Sequence, residues 1–219
     1  MKLDWSIVWQ SRWLLFEGAL VTILLTALTM VIAVPGGIVL ALMRNSRLKP
    51  IALFATGFVE LFRNLPLLLL VYWAFYVMPV LTGFGLPPFT TGLVALCLNV
   101  SAYNSETFRS GINSIRKGQS EAGLALGMSR SEVFRQIVLP QAWRRVLPIL
   151  ASTWVSLFKD TSLVSVIAVG ELAHTAMQIR SQSFRVLEML TAMAAIYWAL
   201  GYPQAKLVDW LHRRLGVSE

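Results

Sequence analysis

Nine residues able to carry charge or donate hydrogen bonds interrupt apolar stretches of the chain: Glu60, Arg63, Asn99, Tyr103, Glu106, Lys159, Asp160, Thr161 and Ser162. Ionisable groups inside an apolar segment are costly, and they usually face a cavity or a charged partner. Their chemistry suits the binding or passage of a polar molecule. We therefore expect these side chains to line a substrate path or a gate.

The sequence contains no comparable set of residues for catalysis. No nucleophile and base are joined by a plausible third partner, and His174 and His212 lack the spacing of metal ligands. The single Cys97 excludes an intrachain disulfide framework and a cysteine-based metal site. None of the fourteen glycines begins a Gly-x-x-x-x-Gly-Lys-[Ser/Thr] phosphate loop. We expect no metal or cofactor on this chain and set an intramembrane enzyme aside.

Composition indicates the elements that must position these side chains. The 219 residues are 56% hydrophobic and only 14% charged, whereas soluble domains carry roughly 25% charge. This favours an all-α polytopic membrane protein in a single domain. Five apolar segments predict membrane spans, since about 20 residues cross a bilayer: 18–43, 51–78, 91–108, 146–169 and 186–205. Residues 79–90 and 170–185 are predicted to be loops.

Positive charge predicts the orientation of these spans. Thirteen Lys and Arg residues lie in 44–50, in 109–145 and in the C-terminal tail, whereas four, including Lys2, lie on the opposite side. Cytoplasmic loops carry the excess of Lys and Arg. We therefore expect the N-terminus outside, the C-terminus inside and residues 117–140 in the cytosol.

The polar residues within spans have alternative interpretations. Glu60 and Arg63 are three apart, so they either neutralise each other along one helix face or act at a gate. Pro66 predicts a bend in the second span. Asn99, Tyr103 and Glu106 share one face, which lines either the pathway or a contact between subunits.

The fourth predicted span is interrupted by Lys159 and Asp160, which are adjacent and therefore point in different directions. Lys159 lies roughly 20 Å from Val146 along a helix, past the middle of the bilayer. Thr161 and Ser162 are suited to hydrogen-bond a helix end at a break there. The segment either touches substrate or is tied to a neighbouring helix.

Residues 117–140 predict two short helices around a turn. Gly118 and Ser120 are expected to precede the first helix, which places Glu121 in its first turn, near the positive end of the helix dipole. Gly127 suits a left-handed C-terminus. Ser129 and Glu132 form a capping box that begins the second helix. Pro140 is expected to end it.

Three functions suit this small element. It is a docking site for another protein, a surface segment on anionic lipid, or a helix-turn-helix unit with a recognition helix near Ser129. DNA binding is disfavoured because such a unit needs a third helix and a core, which two flanking spans do not offer. The many apolar residues and the two caps favour docking over simple contact with lipid.

The same stretch resembles a known motif. Glu121-Ala122-Gly123, Gly127 and Ile137-x-Leu139-Pro140 match the EAA loop of ABC importer permeases at every spacing, with Gly123 in place of the second alanine. That glycine should loosen the first helix by up to about 1 kcal/mol. Further stretches are similar to the polar amino acid branch, with the glutamate/aspartate permeases nearest in appearance: 60–67, 110–119 and 159–163.

The resemblance implies a type I ABC importer permease fold with a cytosolic coupling helix, in a bacterial inner membrane. It implies a second permease chain, identical or homologous, and an external amino acid-binding protein. A cytosolic ATPase dimer would hold ATP and Mg and grip the EAA loop through Glu121, Ala122, Gly123, Leu126, Gly127, Ile137, Leu139 and Pro140. A stand-alone channel or ion-coupled carrier is the alternative, because it too would place polar residues in its spans.

Overall fold

The computed structural model describes residues 3–215, so Lys2, counted above on the outer side, lies outside the described residues. Nine helices follow one another within this range, and none of its residues forms a strand. They are α1 Ser6–Gln10, α2 Arg12–Arg44, α3 Lys49–Asn64, α4 Leu67–Thr82, α5 Pro88–Asn113, α6 Lys117–Ala125, α7 Arg130–Ile167, α8 Leu172–Ser183 and α9 Val186–Leu215. The predicted all-α class is confirmed.

Among the described residues, α2 alone is long and apolar enough to cross a membrane as a single helix. Two bent pairs meet the same criterion if each pair is taken as one span: α3 with α4, at 106°, and α7 with α8, at 48°. The predicted bend at Pro66 is confirmed, and it is a sharp turn between two helices. Leu65 is extended because the residue before a proline avoids helical geometry. The five-span arrangement remains a prediction.

The predicted break in the fourth segment is a change of helical pitch within α7. The helix is α-helical as far as Asp160 and continues as a 3₁₀ helix over Thr161–Ile167. The Thr161 hydroxyl donates to the Phe158 carbonyl at 2.8 Å, and the Ser162 hydroxyl donates to the Lys159 carbonyl at 2.8 Å. These bonds confirm that the two side chains serve the carbonyls at the end of the α-helical part.

Both loops are shorter than predicted. Only residues 83–87 of the segment 79–90 are non-helical, and most of 170–185 is α8. In α8, Leu172, Ala176 and Ile179 recur at helical spacing, and they pack in one buried cluster with residues of α2 and α9. The polar residues between them had concealed this apolar stripe.

A fully buried carboxylate joins α8 to two other helices. Glu171 caps α8 by accepting hydrogen bonds from the backbone N–H groups of Ala173 at 2.8 Å and His174 at 2.7 Å. It also accepts from the Tyr197 hydroxyl of α9 at 2.9 Å, while Thr22 of α2 accepts from the Leu172 N–H at 3.1 Å. The carboxylate is therefore well supplied with donors, as a buried charge must be.

The helices α2 and α5 make a close contact at Gly37. A Cβ atom added at Gly37 would lie 2.5 Å from the Asn104 Cβ and 3.0 Å from the backbone nitrogen of Ser105. The Asn104 side-chain amide donates to the Ala33 carbonyl across the same contact at 3.2 Å. Small residues permit such close approach between membrane helices. α2 continues through Pro35-Gly36-Gly37 without a break, and the glycine at position 37 allows the two helices to approach.

We expect Gly37→Ala to lower the free energy of unfolding by about 1–3 kcal/mol, because the added methyl group meets the α5 backbone rather than a movable side-chain end. Gly57→Ala is the matched control, since a Cβ atom there would have no heavy atom within 4 Å. Thermal unfolding of the purified chain in detergent measures both changes. Equal melting temperatures for the two variants would contradict this account of the α2–α5 contact.

Candidate functional site

An open cavity of about 700 Å³ lies where the bend between α3 and α4 faces α5 and α7. Its polar lining includes Arg63, Asn99, Tyr103, Ser152, Ser156 and Asp160. Four of these residues were predicted to lie on a path or gate, and the fold brings them to one cavity. Of the other predicted residues, Glu60, Glu106, Lys159, Thr161 and Ser162 do not line it.

Asn99 and Tyr103 hold the end of α3 in place. The Asn99 side-chain amide donates to the Phe62 carbonyl at 2.8 Å, and the Tyr103 hydroxyl donates to the Arg63 carbonyl at 3.1 Å. The Phe62 carbonyl needs such a partner because Pro66, four residues on, has no N–H. The polar stripe on α5 therefore binds the α3 terminus within one chain while it also lines the cavity.

Glu106 ends that stripe in a cluster of three arginines. Its carboxylate lies 2.6 Å from Arg44 Nη1 and 3.6 Å from Arg63 Nη1, and it also pairs with Arg109. The predicted Glu60–Arg63 pair is wrong: Arg63 turns toward Glu106, and Glu60 accepts from the Asn64 side-chain amide at 3.2 Å. Helix spacing permitted the pair, but α5 offered Arg63 a carboxylate that already gathers two other guanidinium groups.

Asp160 and Lys159 point in different directions, as expected for adjacent residues. Asp160 lines the cavity, whereas Lys159 is exposed away from it and Thr161 is fully buried. Ser152 and Ser156 were missed by the sequence analysis. The available signal was their i, i+4 spacing with Asp160, which puts all three on one face of α7.

The second region is the element formed by residues 117–140. Here α6 begins at Lys117, after the extended Arg116, so Gly118 and Ser120 lie inside the helix. Glu121 therefore lies beyond the first turn, and the predicted interaction with the helix dipole is wrong.

The turn after α6 agrees with its prediction. Gly127 is left-handed, with φ of 83°, and the Met128 N–H donates to the Gly123 carbonyl at 3.1 Å. This is the Schellman arrangement, which satisfies the last carbonyls of a helix. Glycine suits this position because left-handed geometry costs it nothing.

The capping box that begins α7 is also confirmed. The Glu132 N–H donates to the Ser129 hydroxyl at 3.3 Å, and the Ser129 N–H donates to the Glu132 carboxylate at 2.8 Å. That backbone N–H, followed by the Ser129 hydroxyl, favours the ionised form and lowers the pKa of Glu132 below its usual value.

Pro140 does not end the second helix, contrary to the prediction. A π-helical stretch, Val133–Val138, precedes it, and α-helical geometry resumes at Leu139 and continues to Asp160. Pro140 lies where π-helical pitch gives way to α-helical pitch, so its missing N–H falls at a junction in the hydrogen-bond pattern. The Gln141 side chain donates to the Ile137 carbonyl at 2.9 Å beside it. As a result the 117–140 element and the cavity share one helix.

A small core lies beneath α6. Val133, Val138 and Ala142 of α7 pack with Ile115, which follows α5. We expected the flanking spans to provide no core for this element. That expectation is wrong, because the ends of α5 and α7 provide one. A Cβ atom at position 123 would lie 2.8 Å from both Ile137 Cδ1 and Val133 Cγ2. Gly123 thus permits α6 to lie against α7, a reason that helix propensity did not indicate.

The eight residues predicted to contact an ATPase fall into two groups. Gly123 is buried and Ile137 half-buried, so both hold the element together. The others are exposed at its surface: Glu121, Ala122, Leu126, Gly127, Leu139 and Pro140. Leu126 is 84% exposed, which is unusual for leucine in a folded, capped element.

Comparison with known proteins identifies the family to which this chain belongs. The family described as "Binding-protein-dependent transport system inner membrane component" matches residues 33–217. The glutamate/aspartate import permease protein GltK of Escherichia coli O6:H1 is 35% identical, over 97% of this chain and 98% of its own. The glutamine transport system permease protein GlnP of Escherichia coli (strain K12) is also 35% identical, over 99% and 100%.

A solved structure is similar over the whole fold. The crystal structure of an amino acid ABC transporter with histidines contains a chain with a TM-score of 0.93 and 34% sequence identity, covering 98% of this chain and 100% of that one. The extent of these matches confirms the resemblance seen in the EAA loop. The chain belongs to the family of binding-protein-dependent transport system inner membrane components, and it is a permease subunit of an amino acid ABC importer, a transport component rather than an enzyme.

Proposed function

We propose that this permease carries a polar α-amino acid, such as glutamate or aspartate, through the cavity beside the α3–α4 bend. The observation that carries the proposal is that Arg63 of α3 and Asp160 of α7 line the same cavity. An α-amino acid presents a carboxylate and an ammonium group, which a guanidinium and a carboxylate complement. The hydroxyls of Ser152 and Ser156 add hydrogen-bonding groups for a polar side chain.

Arg63 has capacity left for a ligand. Its Nε is buried, and no hydrogen-bond partner for it exists among the described residues. A buried donor without a partner costs free energy, so an incoming carboxylate that accepted from it would recover that cost. Glu106 lies 3.6 Å from Nη1 of the same side chain, which is a long contact for an ion pair, so a ligand carboxylate would compete with only one distant protein carboxylate for this guanidinium.

The two relatives support a polar substrate more firmly than an acidic one. Their names specify glutamate/aspartate and glutamine, and both are 35% identical to this chain. Those substrates share the α-amino and α-carboxylate groups and differ in side-chain charge. The opposite charges of Arg63 and Asp160 in one cavity suit the shared groups, so we assign these residues to the main part of the substrate rather than to its side chain.

We propose that residues 117–140 couple this cavity to a cytosolic ATPase dimer, which would hold ATP and Mg. Leu126, with Leu124 and Leu139 at 44% and 43% exposure, offers apolar side chains to a protein groove. The element rests on α7, whose α-helical part from Leu139 to Asp160 spans about 33 Å. A displacement of α6 would therefore act on the same helix that carries Asp160.

We propose the rest of the assembly from the family to which the chain belongs and from the distribution of Lys and Arg. A binding protein outside the cell would deliver the amino acid, and a second permease chain, identical or homologous, would complete the pathway. We infer five spans from α2, the α3–α4 pair, α5, α7 and α9, in a bacterial inner membrane. The excess of Lys and Arg in the loops supports an N-terminus outside and a C-terminus in the cytosol.

We expect Asp160→Asn to reduce uptake of labelled glutamate by roughly tenfold or more in proteoliposomes that contain the whole complex. A charged hydrogen bond is worth about 1.5–3 kcal/mol, which corresponds to that loss. Lys159→Gln is the matched control, because Lys159 is adjacent in sequence and lies outside the cavity. Equal uptake by the Asp160→Asn complex and the unchanged complex would refute the assignment of the cavity.

We expect Leu126→Asp to weaken binding of the ATPase subunit by about thirtyfold or more, since a central apolar anchor contributes at least about 2 kcal/mol. Leu48→Asp makes the same change at a leucine that is 63% exposed, outside the 117–140 element. Co-purification and substrate-stimulated ATP hydrolysis report the result. Normal hydrolysis and normal binding with Leu126→Asp would show that this surface does not dock the motor.

A further inference from the structure

A second concave surface lies at the N-terminal end of the chain, away from the cavity described above. It is an open groove of about 440 Å³ between α1, the first half of α2 and α9. Its lining is apolar apart from one cation and includes Trp9, Arg12, Phe16, Ile23, Ile196 and Leu200. Neither amino acid binding nor ATPase docking uses these residues.

The groove begins at the level of a membrane–water boundary. The Asp4 N–H donates to the Glu188 carboxylate at 2.9 Å, which ties the segment before α1 to the first turn of α9. Trp9 and Trp13 next to it are 71% and 66% exposed. Tryptophan is enriched where a membrane protein crosses the headgroup region. The open end of the groove therefore faces headgroups, and the remainder faces hydrocarbon.

The groove is about one leaflet deep. The rise along α2 from Arg12 to Ile23 is about 16 Å, and half of a hydrocarbon core is about 15 Å. An acyl chain is a linear, apolar ligand, which suits an open apolar groove of this length.

Arg12 is held at the open end. Its Nη1 donates to the Trp9 carbonyl at 2.8 Å, and its guanidinium carbon lies 4.6 Å from the centre of the Trp9 ring and 5.6 Å from that of Trp13. These contacts orient the guanidinium and use one of its five N–H donors. The exposed remainder is suited to bidentate contact with a phosphate.

We propose that this groove binds one glycerophospholipid of the leaflet on the N-terminal side, with its phosphate on Arg12 and one acyl chain along α2 as far as Ile23. Charge complementarity at the open end and the one-leaflet depth both specify this ligand. The bound lipid would fill the space between α1 and α9, which the protein leaves unpacked. The site is independent of substrate and of the motor, so it stands or falls separately from the proposed transport function.

The test is native mass spectrometry of the whole transporter complex in an uncharged detergent, with phosphatidylglycerol titrated as the probe. We expect one tightly held lipid per permease chain. Arg12→Gln should weaken its binding roughly tenfold, because a charge-assisted phosphate contact is lost, whereas Arg12→Lys should retain most of it. Ile23→Trp should abolish retention by filling the groove with protein.

Two variants serve as matched controls. Arg47→Gln removes a cation from the loop between α2 and α3, and Leu24→Trp enlarges the neighbouring residue of α2, which does not line the groove. Both should retain the lipid as the unchanged complex does. If Arg12→Gln fails to assemble, Ile23→Trp alone decides the question.

Two results would overturn the proposal. One is retention of phosphatidylglycerol at unchanged affinity by Ile23→Trp, or by an assembled Arg12→Gln complex. The other is an efficient disulfide between two Ile23→Cys chains in membranes, because it would show that a second copy covers the groove.

Discussion

The contact between α2 and α5 at Gly37 is the constraint on which the other arrangements depend. Inside a bilayer, helices gain little from hiding apolar surface from one another, so their association relies on close packing and interhelical hydrogen bonds. Gly37 supplies the first by bringing α2 against the α5 backbone, and Asn104 supplies the second through the Ala33 carbonyl. A larger residue at position 37 would displace α5, and every group that α5 carries would move with it.

The position of α5 in turn determines the cavity and its charges. Asn99 reaches the Phe62 carbonyl, which Pro66 leaves without a backbone donor, and Tyr103 reaches the Arg63 carbonyl beside it. Glu106 then draws Arg63 away from Glu60, so that one carboxylate serves three guanidinium groups. Three guanidinium groups share one carboxylate, so an excess of positive charge lies beside the cavity. Asp160 of α7 lines the same cavity. One helix thus sets both the shape of the wall and the balance of charge on it.

The continuity of α7 connects two regions that seemed separate along the chain. A π-helical stretch before Pro140 absorbs the proline without ending the helix. The helix that supports α6 therefore also carries Asp160. Gly123 brings α6 into contact with Val133 and Ile137 at the other end of this helix. The coupling proposed above would need a stiff connection between the motor and the gate, and a single helix would provide it.

The sequence alone determined features that depend on neighbouring residues and on composition. These include the helical class, the bend at Pro66, the left-handed Gly127, the Ser129–Glu132 capping box and the family motif. Backbone geometry and capping act within a few residues, so local sequence suffices for them. Tertiary structure decided the partner of Arg63, the burial of Glu171 in what looked like a loop, the passage of α7 through Pro140 and the presence of Arg63 and Asp160 in the lining of one cavity. Each depends on residues far apart in the chain, whose distance is set only when the helices pack.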